Sequence, residues 1–226
     1  MSTLTKVYRP ALLFVFMALA GCAGTQPARY ADIDSAPQLQ PNTGDKADRI
    51  PFRYAAPVDW NKYTHVIIDP VTLYQGSDNQ FGEMDQADRQ TLAKYMQDRF
   101  SESLRSRFTE TQTPTPATIR IKLTLTGAET TTQVVGTVTK FDLAGGPYNI
   151  VQALRGKEGM LTGSVNYTVE IYDAVSNRLL NAYIAKQYPN AMNVGATIGS
   201  LSAAEVGIDK GADELADMLK SSAPTE

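Results

Sequence analysis

Few side chains in this sequence are of the kind that do chemistry: among 226 residues there is one histidine and one cysteine. A Ser-His-Asp relay would have to use His65, which opens the run His65-Val66-Ile67-Ile68-Asp69, and no Gly-x-Ser-x-Gly nucleophile elbow occurs anywhere. A strand-end histidine bonded to backbone or water explains His65 more simply. Asp69, before Pro70, stands at a strand end, where sheet proteins often place function, but Asp-Pro is also a turn pair bonded to nearby amides. The acid pairs Asp85 with Asp88, Glu83 with Asp85, and Asp213 with Asp217 could be imagined as a general acid and base or as magnesium ligands. They fall where helix termini and solvated faces want charge, and nothing marks them as buried, so caps and surface charge are the cheaper explanation. Gly145-Gly146-Pro147 lacks the lysine and the helix cap of a phosphate cradle. One cysteine excludes an internal disulfide and a Cys-rich zinc site. The expectation is therefore no catalytic residue, no metal ligand, no cofactor and no enzymatic activity.

With 42% hydrophobic and 20% charged positions the chain can bury a real core and is neither disordered nor polytopic. Its formal charge is −3; removing residues 1–21 takes away Lys6 and Arg9 and no acid, leaving 19 bases against 24 acids, near −5. That sign, with no run of bases, argues against a phosphate-tracking surface and against nucleic acid as a partner.

Lys6 and Arg9 form a short basic region ahead of the unbroken apolar stretch Ala11 to Ala20, ten residues long. A bilayer span needs about twenty, whereas the apolar region of a secretory signal runs about 7 to 15 with small residues behind it. Leu19-Ala20-Gly21-Cys22 then places the only thiol directly after two small residues and resembles the lipobox of bacterial lipoproteins. The resemblance implies that residues 1–21 are a signal peptide and that Cys22 becomes residue one, carrying acyl chains that hold the protein on a membrane without a helix. Ala23, rather than Asp, follows the cysteine. By resemblance to Gram-negative lipoproteins this implies a lipid-anchored protein on the periplasmic face of the outer membrane.

Residues 22–57 carry Pro27, Pro37, Pro41, Pro51 and Pro57 among polar residues and read as an extended, solvated tether, onto which Tyr30, Ile33, Leu39, Ile50 and Phe52 could dock pieces. Residues 58–222 read as a single periplasmic domain. The β-branched run at 65–69 suits a central strand covered on both faces. After Asp85 and Asp88, Leu92, Tyr95, Met96, Phe100, Leu104 and Phe108 recur at helical spacing. Ile119, Ile121, Leu123 and Leu125 alternate with polar residues as a half-buried strand, and residues 163 to 188 read as a hairpin turning at Asp173 to Asn177. Ser202 with Glu205 opens a last helix through Leu219, weakened by Gly207 and Gly211. The predicted class is α+β: a mixed or mostly antiparallel sheet of about four or five strands packed with two main helices. The sequon Asn166-Tyr167-Thr168 lies mid-strand and is discounted.

Between Glu129 and Leu161 five glycines and a proline surround the apolar patch Tyr148, Ile150, Val151, Ala153 and Leu154. The segment reads either as a partner-binding or membrane-touching excursion or as a further strand and short helix capping the sheet. Tyr148, Ile150 and Leu154, with Tyr183 and Tyr188 near strand ends, form the candidate partner surface, against the alternative of edge-strand packing.

Trp60-x-x-Tyr63, then Val66-Ile67-Ile68-Asp69-Pro70-Val71 and the Leu92 to Phe108 helix, resembles a family of bacterial lipoproteins known only as a domain of unknown function, over roughly residues 30 to 220. The element order resembles more loosely the curli-secretion lipoprotein and lipoprotein activators of cell-wall synthases. These readings point to a non-enzymatic accessory or assembly factor that binds another envelope protein. The alternatives are a subunit of an oligomeric outer-membrane pore or secretion complex and a cell-envelope hydrolase around Asp69 and His65.

Overall fold

Strand β6, Thr118–Glu129, shows why the sheet forms: Ile119, Ile121, Leu123 and Leu125 are buried on one face, while Arg120, Lys122 and Thr124 stand half-buried on the other. The computed structural model describes residues 26–44, 46–130, 151, 163–190 and 199–220. β7, Ser164–Asp173, pairs antiparallel with β6 and with β8, Leu179–Gln187. The β7–β8 turn is held by Asp173, whose carboxylate accepts from Ser176 N (2.9 Å), Ser176 Oγ (2.8 Å) and Val175 N (3.2 Å). Asn177 closes it at φ +55°, a left-handed conformation that asparagine tolerates.

The remaining strands are shorter: β1 Gln40–Pro41, β2 Phe52–Ala55, β3 His65–Ile68, β4 Thr72–Leu73 and β5 Thr109–Glu110. The order is β1-β2-β8-β7-β6-β3-β5, with β4 also on β6; β3 and β4 run parallel to β6, and β5 runs parallel to β3. The fold is α+β with a mixed, mostly antiparallel sheet of eight strands, not four or five. The extra strands are two to four residues long, too short to write a period of two into the sequence. The 65–69 run is covered on both faces as expected, yet it is not central: β7 holds the middle and β3 lies next to the edge.

Two helices cover one face. α1, Gln86–Arg105, starts at Asp85, whose carboxylate accepts from Asp88 N at 2.7 Å, and buries Leu92, Met96, Phe100 and Leu104. α2, Ser202–Lys220, runs in the same direction beside it: Asp209 accepts from Tyr95 Oη (2.9 Å) and Arg99 Nε (2.7 Å), and Asp213 accepts from Ser103 Oγ (3.1 Å). Burial and Asp209 push Tyr95 up to about 12. Gly207 and Gly211, read from sequence as weaknesses, are where α2 meets the sheet. A Cβ on Gly207 would lie 2.9 Å from Gln187 O, and one on Gly211 would lie 1.9 Å from the Tyr167 hydroxyl.

The other face is covered by the segment read as a tether. Tyr30, Ile33 and Leu39 are buried against Tyr74, Ala182 and Ile184, and β2 joins the sheet beside β8. From Gln26 onward the reading as an extended, solvated linker is therefore corrected. Its apolar residues lie on the sheet, and Ser35 N donates to Glu170 at 2.6 Å while Lys122 Nζ meets Asp34 at 2.8 Å. We call residues 26–39 the strap.

Candidate functional site

Asp69 sits just past β3, where its N–H continues the ladder to Ile121 O at 3.0 Å, and its carboxylate lies 4.0 Å from Arg120 Nη1. It borders a hollow of about 660 Å³ between strap and sheet, lined also by Asp32, Asp34, Tyr74, Lys122 and Glu170. The charged groups here mainly hold the strap. Asp34 is bound to Lys122, whose ammonium it holds above the usual lysine value, and Glu170, only 3% exposed, is bound to Ser35 N. The hydroxyls of Thr72 and Thr124 bond each other at 3.1 Å.

His65 lies at the opposite end of β3, with Nδ1 2.9 Å from Thr64 Oγ1. Four residues of strand, roughly 13 Å, separate it from Asp69, so a relay between them is not assembled. The acid pairs take structural positions: Asp85 caps α1 through Asp88 N, and Asp213 and Asp217 are exposed on α2, bound to Ser103 and Lys220. Among the described residues no group of three or more His, Cys, Asp or Glu is placed to hold a metal ion.

The candidate partner surface divides. Cys22, Tyr148, Ile150 and Leu154 lie outside the described residues. Tyr183 and Tyr188 are described and buried, at 8% and 3% exposure, so neither offers the exposed ring expected of it. For Tyr183 the reason is topological: β8 is not an edge strand there, because β2 pairs outside it and Arg53 lies opposite Tyr183. Tyr183 turns toward the helices and lines a cleft of about 590 Å³ with Tyr54, Tyr167, Asn181, Glu214 and Met218. Burial, aided by Glu214, raises its hydroxyl above the ordinary tyrosine value. The Tyr188 ring lies under the Arg49 guanidinium, 3.9 Å from its centroid.

A polar group with four hydrogen bonds carries no sequence signal. Gln80 Oε1 accepts from Tyr30 Oη (2.6 Å), Asn166 Nδ2 (3.1 Å) and Ala28 N (3.4 Å), while its Nε2 donates to Gln26 O (2.8 Å). This fastens the start of the strap to the end of the sheet where β6 finishes and β7 begins, since Gln80 also bridges Gly127 and Glu129 pairs with Ser164. Burial pushes Tyr30 up to about 12. Around the hub, Ser164 Oγ, Asn166 Oδ1 and Thr168 Oγ1 are buried with no hydrogen-bond partner among the described residues. Asn166 is 1% exposed and its amide is already bound, so the sequon has no room for a glycan.

Over residues 29–215 the chain matches a family described as "Protein of unknown function (DUF3313)". The chain belongs to the DUF3313 family. The match covers nearly the span, 30 to 220, of the resemblance seen in the sequence, and it takes in the strap from Arg29 onward. No curated protein matches this DUF3313 chain in sequence. Among solved structures it is similar to the PelC dodecamer from Paraburkholderia phytofirmans in space group P6, with 9% identity, 71% of this chain and 94% of that chain covered, and a TM-score of 0.39. A PelC point-variant dodecamer in space group C2 gives 9% identity, coverages of 72% and 93%, and a TM-score of 0.38. A putative neuraminyllactose-binding hemagglutinin homolog from Helicobacter pylori gives 9% identity, coverages of 74% and 86%, and a TM-score of 0.32.

Proposed function

We propose that this DUF3313 protein is a non-enzymatic lipoprotein, anchored through acylated Cys22 to the periplasmic face of the outer membrane, that binds another envelope protein as an accessory or assembly factor. The observation that carries the reading is the docked strap. The domain is fastened by Gln26 O and by Pro27, which is buried, only four residues after Cys22. Four residues span at most about 14 Å, so the anchor holds the folded domain close against the leaflet rather than at the end of a long linker. Among the described residues no helix is long and apolar enough to cross a membrane, and acyl chains would supply the attachment instead.

The test is in-cell cross-linking of the tagged protein, followed by mass spectrometry of what co-purifies, with an unrelated outer-membrane lipoprotein as control. A specific, stoichiometric partner is expected. Self-cross-links of one defined ring size would move the oligomeric pore reading to first place, and acylated, membrane-sedimenting protein from Cys22→Ser would overturn the anchor.

A further inference from the structure

The short link between Cys22 and the strap also fixes which end of the domain meets the membrane, an argument that rests on the lipid anchor proposed above. Gln26 is bound at the Gln80 end of the sheet, together with the Glu129–Ser164 pair and the start of α1. At the other end of β7 lies the Asp173–Asn177 turn, where Val175 is 60% exposed. β7 contains ten residues, so about 30 Å of strand separates the two ends. A link of at most about 14 Å reaches the leaflet from the Gln80 end and falls well short of running back along the strands to the turn.

The remaining geometry is a domain lying flat. One sheet face is covered by the strap and the other by α1 and α2. On the outer side of α1 stand the exposed charged residues Lys94, Asp98 and Glu102. Among the described residues the exposed large apolar side chains are Val151 and Val175, so the described part of neither flank offers an apolar patch on which to lie. At the Gln80 end Phe81 and Met84 are buried, and Glu83 and Asp85 are exposed. The described residues of such an end would abut headgroups without entering the hydrocarbon, because carboxylates do not leave water unpaired.

We propose that the Gln80 end of the sheet, marked by Glu83, Asp85 and Glu129, faces the phospholipid surface that holds Cys22, with the Asp173–Asn177 turn directed away from it. The single native cysteine makes this measurable, since acylation consumes its thiol and an added cysteine becomes the one reactive site. Glu83→Cys and Val175→Cys, both at exposed positions, are made in the full acylated protein, labelled with a fluorophore and reconstituted into phosphatidylcholine vesicles carrying a short-range headgroup quencher. Intact mass reports the acyl chains. Quenching several-fold stronger at position 83 than at position 175 is the expected result. Equal or reversed quenching on protein whose mass shows the acyl chains overturns the orientation and leaves the anchor standing. A mass without acyl chains overturns the anchor and the orientation with it.

Discussion

Gly211→Ala reverses the sign expected of a glycine replaced inside a helix. In an open helix the change stabilises by about 0.5–1 kcal/mol, because alanine loses less backbone freedom on folding. Here the new Cβ would lie 1.9 Å from Tyr167 Oη and 2.8 Å from its Cζ. The ring cannot swing away, since Tyr167 is 0% exposed and stacks edge-on against Phe100 with centroids 5.7 Å apart. Forcing an atom into such a site costs about 1–3 kcal/mol, and contact this close belongs at the upper end. Against the propensity gain the net loss is about 2 kcal/mol, or roughly 4–8 °C in Tm for a domain of this size. Urea unfolding followed through Trp60, the only tryptophan and 7% exposed, measures it. In a Tyr167→Phe background the worst contact is gone while the Cζ contact remains, so Gly211→Ala is expected to cost about 1 kcal/mol less there. A stabilised Gly211→Ala protein, or equal costs in both backgrounds, refutes the packing argument for α2 on β7.

Gln80→Ala leaves Tyr30 Oη and the amides of Asn166 and Ala28 without their acceptor, which is expected to cost about 2–4 kcal/mol and to expose the strap to protease ahead of the rest of the domain, as limited proteolysis with mass spectrometry will report. Asp173 is held below its usual carboxylate value mainly by the Ser176 amide, so its contribution is present above about pH 4 and is lost as pH falls through the lower folded value; Asp173→Asn should flatten that part of the acid limb in urea midpoints. Lys122→Ala, which removes the ion pair to Asp34 at 2.8 Å, is expected to cost no more than about 1 kcal/mol, because the pair is partly exposed; a larger loss in urea unfolding would mean the strap depends on this contact more than on Gln80.

What the sequence made legible follows from how long each pattern runs. β6, the β7–β8 hairpin and α1 keep their period long enough to be read, and each lies where its pattern puts it, except that α1 ends at Arg105 and Phe108 is buried just beyond it. The Asp85 cap was legible for the same kind of reason, because an acid three residues before another at a helix start has one inexpensive use. The strap was not. Tyr30, Ile33 and Leu39 are spaced by three and six among prolines and polar residues, which matches neither period, and their burial depends on the apolar face of β8 more than a hundred residues away. Tyr183 was misplaced for the converse reason: whether β8 is an edge depends on β2, whose four residues carry no pattern. Gln80 could not have been found from residue type at all, since an isolated glutamine in a loop becomes a hub only once Tyr30 and Asn166 are brought to it.

In the reading proposed above the strap would join fold to function, because one segment would serve both. Its first described residues close the Gln80 hub and complete the second core, so loosening it exposes buried hydroxyls and apolar surface on the sheet. In an acylated protein a pull on Cys22 would be delivered directly to that hub. A tether that was free along its length would absorb the same load as entropy, without touching the fold. With the anchor proposed above, the docked geometry would couple the position of Cys22 to the integrity of the strap-covered face. Inserting a flexible glycine-serine spacer after Cys22 separates the two roles: it should leave urea unfolding unchanged and abolish the orientation at the membrane. If the spacer also removed the partner seen by cross-linking, the partner would have to be recognised at a fixed height above the leaflet.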